Sequence, residues 1–249
     1  MTNEEWAIIC SEVVDLMNDY VRPLVVPLSQ ETEQGVRLIG TGTFVQRESG
    51  GAIVTCEHVA RNAPLNFSPY GHEMVYSYTG AWQSFVEPID VSWTTGALAK
   101  PVRAVPPHQV ALQHQLSRYE ELLFFYGYSG ENSHYGFDVH ETNGSGYLTQ
   151  QKQDAKPDPS VIELLWPNGR HDWSKRTTAE ARRQMKLDNP AGFSGSLVWN
   201  TRFLETGGDL SRWTPEQAVV TALLKRFVRE DDALLALPIE GFRSVGGLE

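Results

Sequence analysis

The first twenty residues carry apolar side chains at helical spacing. The spacing of three and four places them on one face of a helix over residues 1–20, and acidic residues in its first turn favour a helix start there. The apolar positions are Trp6, Ile9, Cys10, Val13, Met17 and Tyr20. Because single amphipathic helices usually bury this face within their own fold, we expect a helix that caps the core. A helix that binds a partner protein is the alternative.

After residue 20 the pattern changes to short runs rich in β-branched and aromatic residues, separated by glycine and proline. Such runs at this spacing predict an all-β protein built of antiparallel hairpins, in a sandwich or a barrel. The runs are VRPLVVPL, VRLIGTGTFVQ, AIVTCEHVA, EMVYSY, WQSFVEPIDVSW, ELLFFYGYSG, GYLTQ, VIELLW, GSLVWN, AVVTALLKRFV and ALLALPI.

The segment PPHQVALQHQLSRYEE interrupts these runs near the middle of the chain. Proline at its start is favourable for the first turn of a helix, so the segment predicts a connecting helix over residues 107–120. A chain of 249 residues is long enough for two small lobes. We therefore expect a first β-barrel lobe at 21–106 and a second at 121–249, which together form one domain.

The net charge of the chain limits its partners. A formal charge of −10 and a pI near 5.2 would repel phosphate backbones and anionic lipid headgroups, so neither nucleic acid nor a membrane is an expected partner. No apolar run approaches the roughly 18 residues that a membrane helix requires. Acidic residues and a tryptophan interrupt the basic residues between 170 and 186, which favours a solvated face over an anion site. These basic residues are Arg170, Lys175, Arg176, Arg182, Arg183 and Lys186.

The cysteines and the N-terminus indicate the compartment. Only Cys10 and Cys56 occur, so no disulfide framework follows. Glu4 and Glu5 stand where a secretory signal would carry basic residues, and the apolar positions that follow are periodic rather than continuous. We expect a cytoplasmic protein.

The motif GFSGS, residues 192–196, is the strongest local signal for chemistry. Glycines on both sides of Ser194 make a tight turn that exposes its hydroxyl. The same turn lets the backbone N–H groups of Gly192 and Ser194 converge on one point, as a developing oxyanion requires. A plain hairpin loop is the alternative for these five residues.

A histidine and an aspartate supply two further signals. His58 follows the run AIVTC, and a histidine at the end of a strand can face a cleft, although a lone histidine is otherwise a structural residue. Asp90 lies in the apolar run PIDVSW, where an unpaired carboxylate would cost several kcal/mol. Accepting the Nδ1–H of His58 would satisfy it. An aspartate in a turn or on the surface is the alternative.

The order His58, Asp90, Ser194 resembles that of the trypsin-like serine proteases of the chymotrypsin fold, and in particular cytoplasmic bacterial members without disulfides. Three other stretches fit the resemblance. GTGTFV is similar to the family's strand before the histidine, LLFFYGYSG to the strand that opens the second barrel, and the runs after Ser194 to the closing strands and final helix. The resemblance covers roughly residues 36 to 243.

The resemblance implies two six-stranded antiparallel Greek-key barrels and a serine endopeptidase that works through an acyl-enzyme. In that scheme Ser194 is the nucleophile, His58 the general base and Asp90 the residue that orients the histidine. The N–H groups of Gly192 and Ser194 form the oxyanion hole. The substrate is a polypeptide, and neither a metal nor another cofactor is required.

The chain also departs from the family pattern. Phe193 stands where members activated from zymogens carry an aspartate that pairs with a freed N-terminus, so we do not expect that activation. Ser196 replaces the second glycine after the nucleophile. Asp188 lies six residues before Ser194, the offset of the acid that selects Arg or Lys at P1 in trypsin. Pro190 in the same loop leaves a turn aspartate as the alternative.

Three other functions compete with a peptidase. A trypsin-fold interaction module could keep its cleft closed until a regulatory protein binds. An esterase of the α/β-hydrolase type is disfavoured by the order of the three residues and by the strand-like LVWN after the serine. The other histidines show no metal-binding spacing, so a metal site is disfavoured too. They are His72, His108, His114, His134, His140 and His171, of which His108 and His114 are expected on the surface of the connecting helix.

Overall fold

The structure is a computed structural model. It describes residues 2–95, 103–136, 139–153, 160–166, 172–186 and 189–246, with the backbone alone at 135–136 and 139–141.

The predicted N-terminal helix is confirmed as α1 (Asn3–Val21). It begins with a capping box in which Thr2 and Glu5 exchange side-chain and backbone hydrogen bonds. Its apolar face is buried: Val13 and Met17 are fully buried in the main core, which favours the core-capping interpretation. Among the described residues, no helix has both the length and the apolar character needed to span a membrane.

Ion pairs dock α1 on the segment that carries the basic residues. Arg176 Nη1 lies 2.7 Å from Asp19 Oδ2, and Lys175 Nζ lies 3.6 Å from Glu12 Oε1. Lys175 and Arg176 therefore form ion pairs with acidic residues of α1.

The first sheet has seven antiparallel strands in the order β5-β4-β1-β2-β3-β7-β6. The strands are β1 (Val25–Thr32), β2 (Gly35–Arg47), β3 (Gly50–Thr55), β4 (Leu65–Phe67), β5 (Tyr76–Tyr78), β6 (Trp82–Phe85) and β7 (Val91–Thr94). The short helix α2 (Glu57–Ala60) follows β3.

Six strands were expected in this lobe, but β4 falls in none of the predicted runs, and the run WQSFVEPIDVSW is divided into β6 and β7. Residues 79–81 connect β5 and β6, which are the two edge strands of the sheet. The rings of Tyr78 and Trp82 nevertheless lie 5.4 Å apart across the gap, so the sheet curls until its edges meet.

The second sheet has the six antiparallel strands expected, in the order β10-β13-β12-β11-β8-β9. The strands are β8 (Leu123–Gly136), β9 (Val139–Thr149), β10 (Ile162–Leu165), β11 (Leu197–Asn200), β12 (Val219–Val228) and β13 (Ala233–Pro238). Two helices accompany them, α3 (Ala179–Gln184) before β11 and α4 (Ile239–Arg243) after β13.

The predicted connecting helix over 107–120 is wrong. Only Pro107–Gln109 forms a helical turn, of the 3-10 type. The backbone beyond it bonds to the second sheet instead of to itself: Ala111 N–H donates to the Val220 carbonyl, 2.9 Å away. His114 is half-buried, with Nδ1 2.7 Å from the Thr221 hydroxyl, and so it is not on the surface of a helix.

The strands of the two sheets fall within the predicted lobes 21–106 and 121–249, whose boundaries stay a prediction. The lobes meet where β2 passes β8. At this contact the Tyr128 N–H donates to the hydroxyl of Thr41, 3.1 Å away.

Candidate active site

Two neighbouring strands bring His58 and Asp90 together. His58 lies in α2, directly after β3, and Asp90 precedes β7, which pairs with β3. The two atoms His58 Nδ1 and Asp90 Oδ2 are 2.8 Å apart, and the backbone N–H of His58 donates to Asp90 Oδ1 at 3.0 Å. Asp90 is 2% exposed, whereas the His58 side chain is 35% exposed. The buried carboxylate therefore has the partner that it needs, and the histidine reaches the surface.

The single strand predicted over WQSFVEPIDVSW is a hairpin. The turn between β6 and β7 contains Glu87, Pro88 and Asp90, and Asp90 has φ 58°. This left-handed conformation ends strand geometry, and aspartate is among the few residues that tolerate it. Asp90 is thus a turn residue, as the alternative interpretation had it, but its side chain is buried.

The pKa of the Asp90 carboxyl lies below its ordinary value. Burial alone would raise this pKa, but the hydrogen bonds from the ring and backbone of His58, together with the nearby Lys225 ammonium, outweigh it. Asp90 is therefore an anion at neutral pH.

Lys225 is a site residue that the sequence analysis missed. It lies in β12 at a register shift, is 3% exposed, and reaches across to the turn that carries Asp90. Its ammonium donates to Glu87 Oε2 at 2.8 Å and to the Pro88 carbonyl at 2.6 Å. A lysine inside the apolar run AVVTALLKRFV was the available signal, because a lysine there needs a partner.

Cys56 lies beside the histidine and aspartate. It is fully buried, and its thiol donates to the Leu224 carbonyl at 3.2 Å. Among the described residues, Cys56, His58 and Asp90 form a group whose possible ligand atoms lie within 4.8 Å of one another. Burial and the Asp90 charge raise the pKa of the thiol well above its usual range, and both carboxylate oxygens of Asp90 already accept hydrogen bonds from His58. We interpret the group as a hydrogen-bonded histidine–aspartate pair beside a neutral thiol.

The loop around Ser194 requires both of its glycines. Gly192 and Gly195 have φ values of 111° and 95°. A Cβ atom on Gly192 would lie 2.6 Å from the Tyr128 carbonyl oxygen, and one on Gly195 would lie 2.0 Å from that of Thr41. The motif thus reflects a positive φ and a close approach of backbone at each glycine.

Four successive carbonyl groups of this loop, those of residues 191–194, accept hydrogen bonds. Their donors come from β2, from β8 and from the loop itself. Ala191 accepts from Gly130 N–H, Gly192 from the Thr41 hydroxyl, Phe193 from Ser196 N–H, and Ser194 from Thr41 N–H, at 2.8–2.9 Å.

By contrast, the N–H groups of Gly192 and Ser194 donate to none of the described residues. These are the two groups that the sequence analysis assigned to an oxyanion hole. They remain available to a ligand.

Phe193 anchors the loop in the second lobe. It is 1% exposed, and its ring centroid lies 5.6 Å from that of Phe125, 5.2 Å from Tyr147 and 6.0 Å from Trp166. Apolar packing therefore holds the residue that precedes Ser194.

Ser194 lies close to the histidine helix, but its hydroxyl does not bond to His58. The Leu224 carbonyl accepts hydrogen bonds from both the Gly195 N–H and the Cys56 thiol, which brings the two segments together. The Ser194 hydroxyl donates to the next carbonyl along β12, that of Lys225, at 2.7 Å.

Some predicted residues lie outside the described part of the chain. They are Asp188, Arg170 and His171, and the side chain of His140 is not described either. The proposed P1 determinant is among them.

Comparison with known proteins gives no match to any family model and none to a curated protein. Solved structures do match. The active form of the Rv3671c protease from M. tuberculosis is 13% identical, with a TM-score of 0.56 over 95% of this chain and 85% of that one.

Two further matches agree in fold. The serine endoprotease from Yersinia pestis is 10% identical, with a TM-score of 0.53 over 90% of this chain and 62% of that one. The MamO protease domain from Magnetospirillum magneticum is 10% identical, with a TM-score of 0.52 over 90% and 96%. With its two curled antiparallel sheets, this chain has the chymotrypsin-like fold that the resemblance implied.

Proposed function

We propose that the protein is a serine endopeptidase whose catalytic residues are His58, Asp90 and Ser194. The observation that carries the proposal is the hydrogen-bonded pair of His58 and the buried Asp90, with the His58 imidazole partly exposed. Near it lies the serine loop, in which the N–H groups of Gly192 and Ser194 donate to none of the described residues. The fold of the solved proteases named above supports it.

In the proposed reaction, Ser194 Oγ attacks the carbonyl carbon of a peptide bond while its proton passes to His58 Nε2. The N–H groups of Gly192 and Ser194 bind the oxyanion, and His58 then gives the proton to the leaving amine. Water then attacks the ester carbonyl and gives a proton to His58, and His58 returns the proton to Ser194 Oγ as the acid product leaves. Asp90 accepts from Nδ1–H, which leaves Nε2 as the base.

The Ser194 hydroxyl must turn from the Lys225 carbonyl to His58 before it can react. Hydrogen bonds at catalytic groups are often unformed without substrate, so this rotamer agrees with a resting enzyme. It also favours the second candidate, an interaction module of the same fold that a regulatory partner switches on. The two differ in whether the isolated protein has activity.

An extended polypeptide would fit the edge of β12. Residues 226–228 pair with β13 on one side, whereas β11 pairs only with residues 219–223 of β12. A substrate strand could therefore add to the open edge next to Ser194. Asp188, six residues before Ser194, is the proposed determinant of a preference for Arg or Lys at P1.

The proposed location and partners follow from the cysteines and from the charge of the chain. Both described cysteines are free, which suits the proposed cytoplasmic location. The partners proposed are polypeptide substrates and a regulatory protein, and neither nucleic acid nor a membrane.

Digestion of a mixed peptide library, read by mass spectrometry, tests this function. We expect cleavage by the wild type, none by Ser194→Ala, and normal cleavage by the control Ser196→Ala. The Ser196 hydroxyl is buried and bonds to no other residue in the part of the chain that the structure describes. A preference for Arg or Lys at P1 would support the role of Asp188, and equal cleavage after Leu or Phe would contradict it. Cleavage that survives in Ser194→Ala would contradict the proposed nucleophile.

A further inference from the structure

Thr41 joins the first lobe to the serine loop of the second. It lies in β2 and is fully buried. Its hydroxyl donates to the Gly192 carbonyl at 2.8 Å and accepts from the Tyr128 N–H at 3.1 Å. Its own N–H donates to the Ser194 carbonyl at 2.9 Å. One residue of the first lobe thus holds two peptide groups of the serine loop.

The hydroxyl bond acts at a glycine of that loop. Gly192 has a φ of 111° and no side chain that would restrict how the following peptide group turns. The Thr41 hydroxyl fixes the carbonyl of this peptide, and the Phe193 N–H on its other side donates to the Pro190 carbonyl at 3.1 Å. With the peptide held at both ends, the neighbouring N–H groups of Gly192 and Ser194 keep their orientation.

We infer that Thr41 is a positioning residue of the peptidase site: its hydroxyl keeps the serine loop in the conformation that presents the N–H groups of Gly192 and Ser194 to the oxyanion. The inference rests on the proposed function. Thr41 touches no reacting atom, and it acts through Gly192.

The chain offers a matched control on the same strand. Thr43 is also fully buried in β2, but its hydroxyl has no hydrogen-bond partner among the described residues. Thr41→Val and Thr43→Val therefore delete the same atom from the same kind of environment, and only the first deletes a bond to the loop. Thr41→Ser keeps the hydroxyl and tests rescue.

The measurement is the rate of covalent labelling by a fluorophosphonate, whose phosphonyl oxygen would occupy the oxyanion position. Rates at several probe concentrations separate the binding constant from the maximal labelling rate, at a temperature where circular dichroism shows all variants folded. We expect Thr41→Val to lower the maximal rate about 10- to 100-fold with the binding constant changed less than about 3-fold, since the loss lies in transition-state stabilisation. Thr41→Ser should recover most of the rate, and Thr43→Val should match the wild type.

The possible failures are distinguishable. A wild type that is folded but unlabelled would contradict the proposed function and this role with it. A labelled wild type with an equal maximal rate in Thr41→Val would contradict the role of Thr41 alone. Equal losses in Thr41→Val and Thr43→Val would also overturn it, because the effect would then follow from burial rather than from the bond to Gly192.

Discussion

At the scale of single residues, the site depends on one buried carboxylate. Asp90 is almost fully buried and is stabilised as an anion mainly by two N–H groups of His58. The sequence was enough to suggest this pairing, because a carboxylate in an apolar run needs a partner and His58 was the available one. The hydrogen bond from Ser194 to the Lys225 carbonyl could not be predicted, since it depends on a register shift in β12.

The lowered pKa of Asp90 predicts a pH-dependent contribution to stability. The folded-state pKa lies below the unfolded value of about 3.9, so the contribution is fully present above that value and is lost as pH falls through the folded pKa. In the Asp90→Asn variant, the asparagine tolerates the same left-handed φ but has no carboxyl group to titrate. We expect it to unfold about 1–3 kcal/mol more easily than the wild type at pH 7, with the difference shrinking below about pH 4.

Urea denaturation of both proteins between pH 7 and pH 3 measures this difference. The comparison cancels the effect of the other carboxylates. If the two proteins differed in unfolding free energy by the same amount at every pH, the ionised form of Asp90 would not be the source of the stabilisation.

At the scale of elements, the periodic patterns predicted α1 and most strands. They failed where a segment forms its hydrogen bonds with a distant strand rather than within itself. Residues 107–120 have a helix-like composition, but Ala111 and His114 bond to β12, so the chain runs along the second lobe as an irregular segment. The run WQSFVEPIDVSW was expected to be one strand and is the hairpin of β6 and β7, because the left-handed conformation of Asp90 ends strand geometry between them.

The serine loop predicts a second outcome at this scale. Phe193 holds the loop by packing among aromatic rings, whereas Phe203 is fully buried near Trp213, in the other core cluster. Phe193→Leu and Phe203→Leu should each cost about 1–3 kcal/mol of unfolding free energy. Only Phe193→Leu should also slow fluorophosphonate labelling, because only it loosens the residue before Ser194. Equal labelling of the two variants would show that the ring does not hold the loop.

At the scale of the whole molecule, groups from both lobes build the site. The first lobe supplies His58, Asp90 and Thr41, and the second supplies Ser194 and Lys225. The order of His58, Asp90 and Ser194 along the chain was enough to expect this division. The contacts that join the lobes, through Thr41 and Lys225, were not predicted, because each depends on how two distant strands approach in space.

Lys225 predicts a test of the link between the lobes. Its ammonium contributes to the low pKa of Asp90, so Lys225→Met should raise that pKa and move the acid-induced loss of stability to higher pH. The control is Lys152→Met, which removes a lysine paired with Glu163 at 3.6 Å in the second lobe. NMR titration of the Asp90 carboxyl carbon reads the change, and equal titration curves for all three proteins would contradict the link.

The central claim is that Ser194 is the nucleophile of an assembled catalytic site. The most direct measurement is tandem mass spectrometry of the intact, folded protein after fluorophosphonate treatment, which locates the adduct on the chain. We predict one adduct on Ser194, lost in His58→Ala, where the base is missing but the serine remains. An adduct on another residue, or equal labelling of Ser194 without His58, would contradict the account.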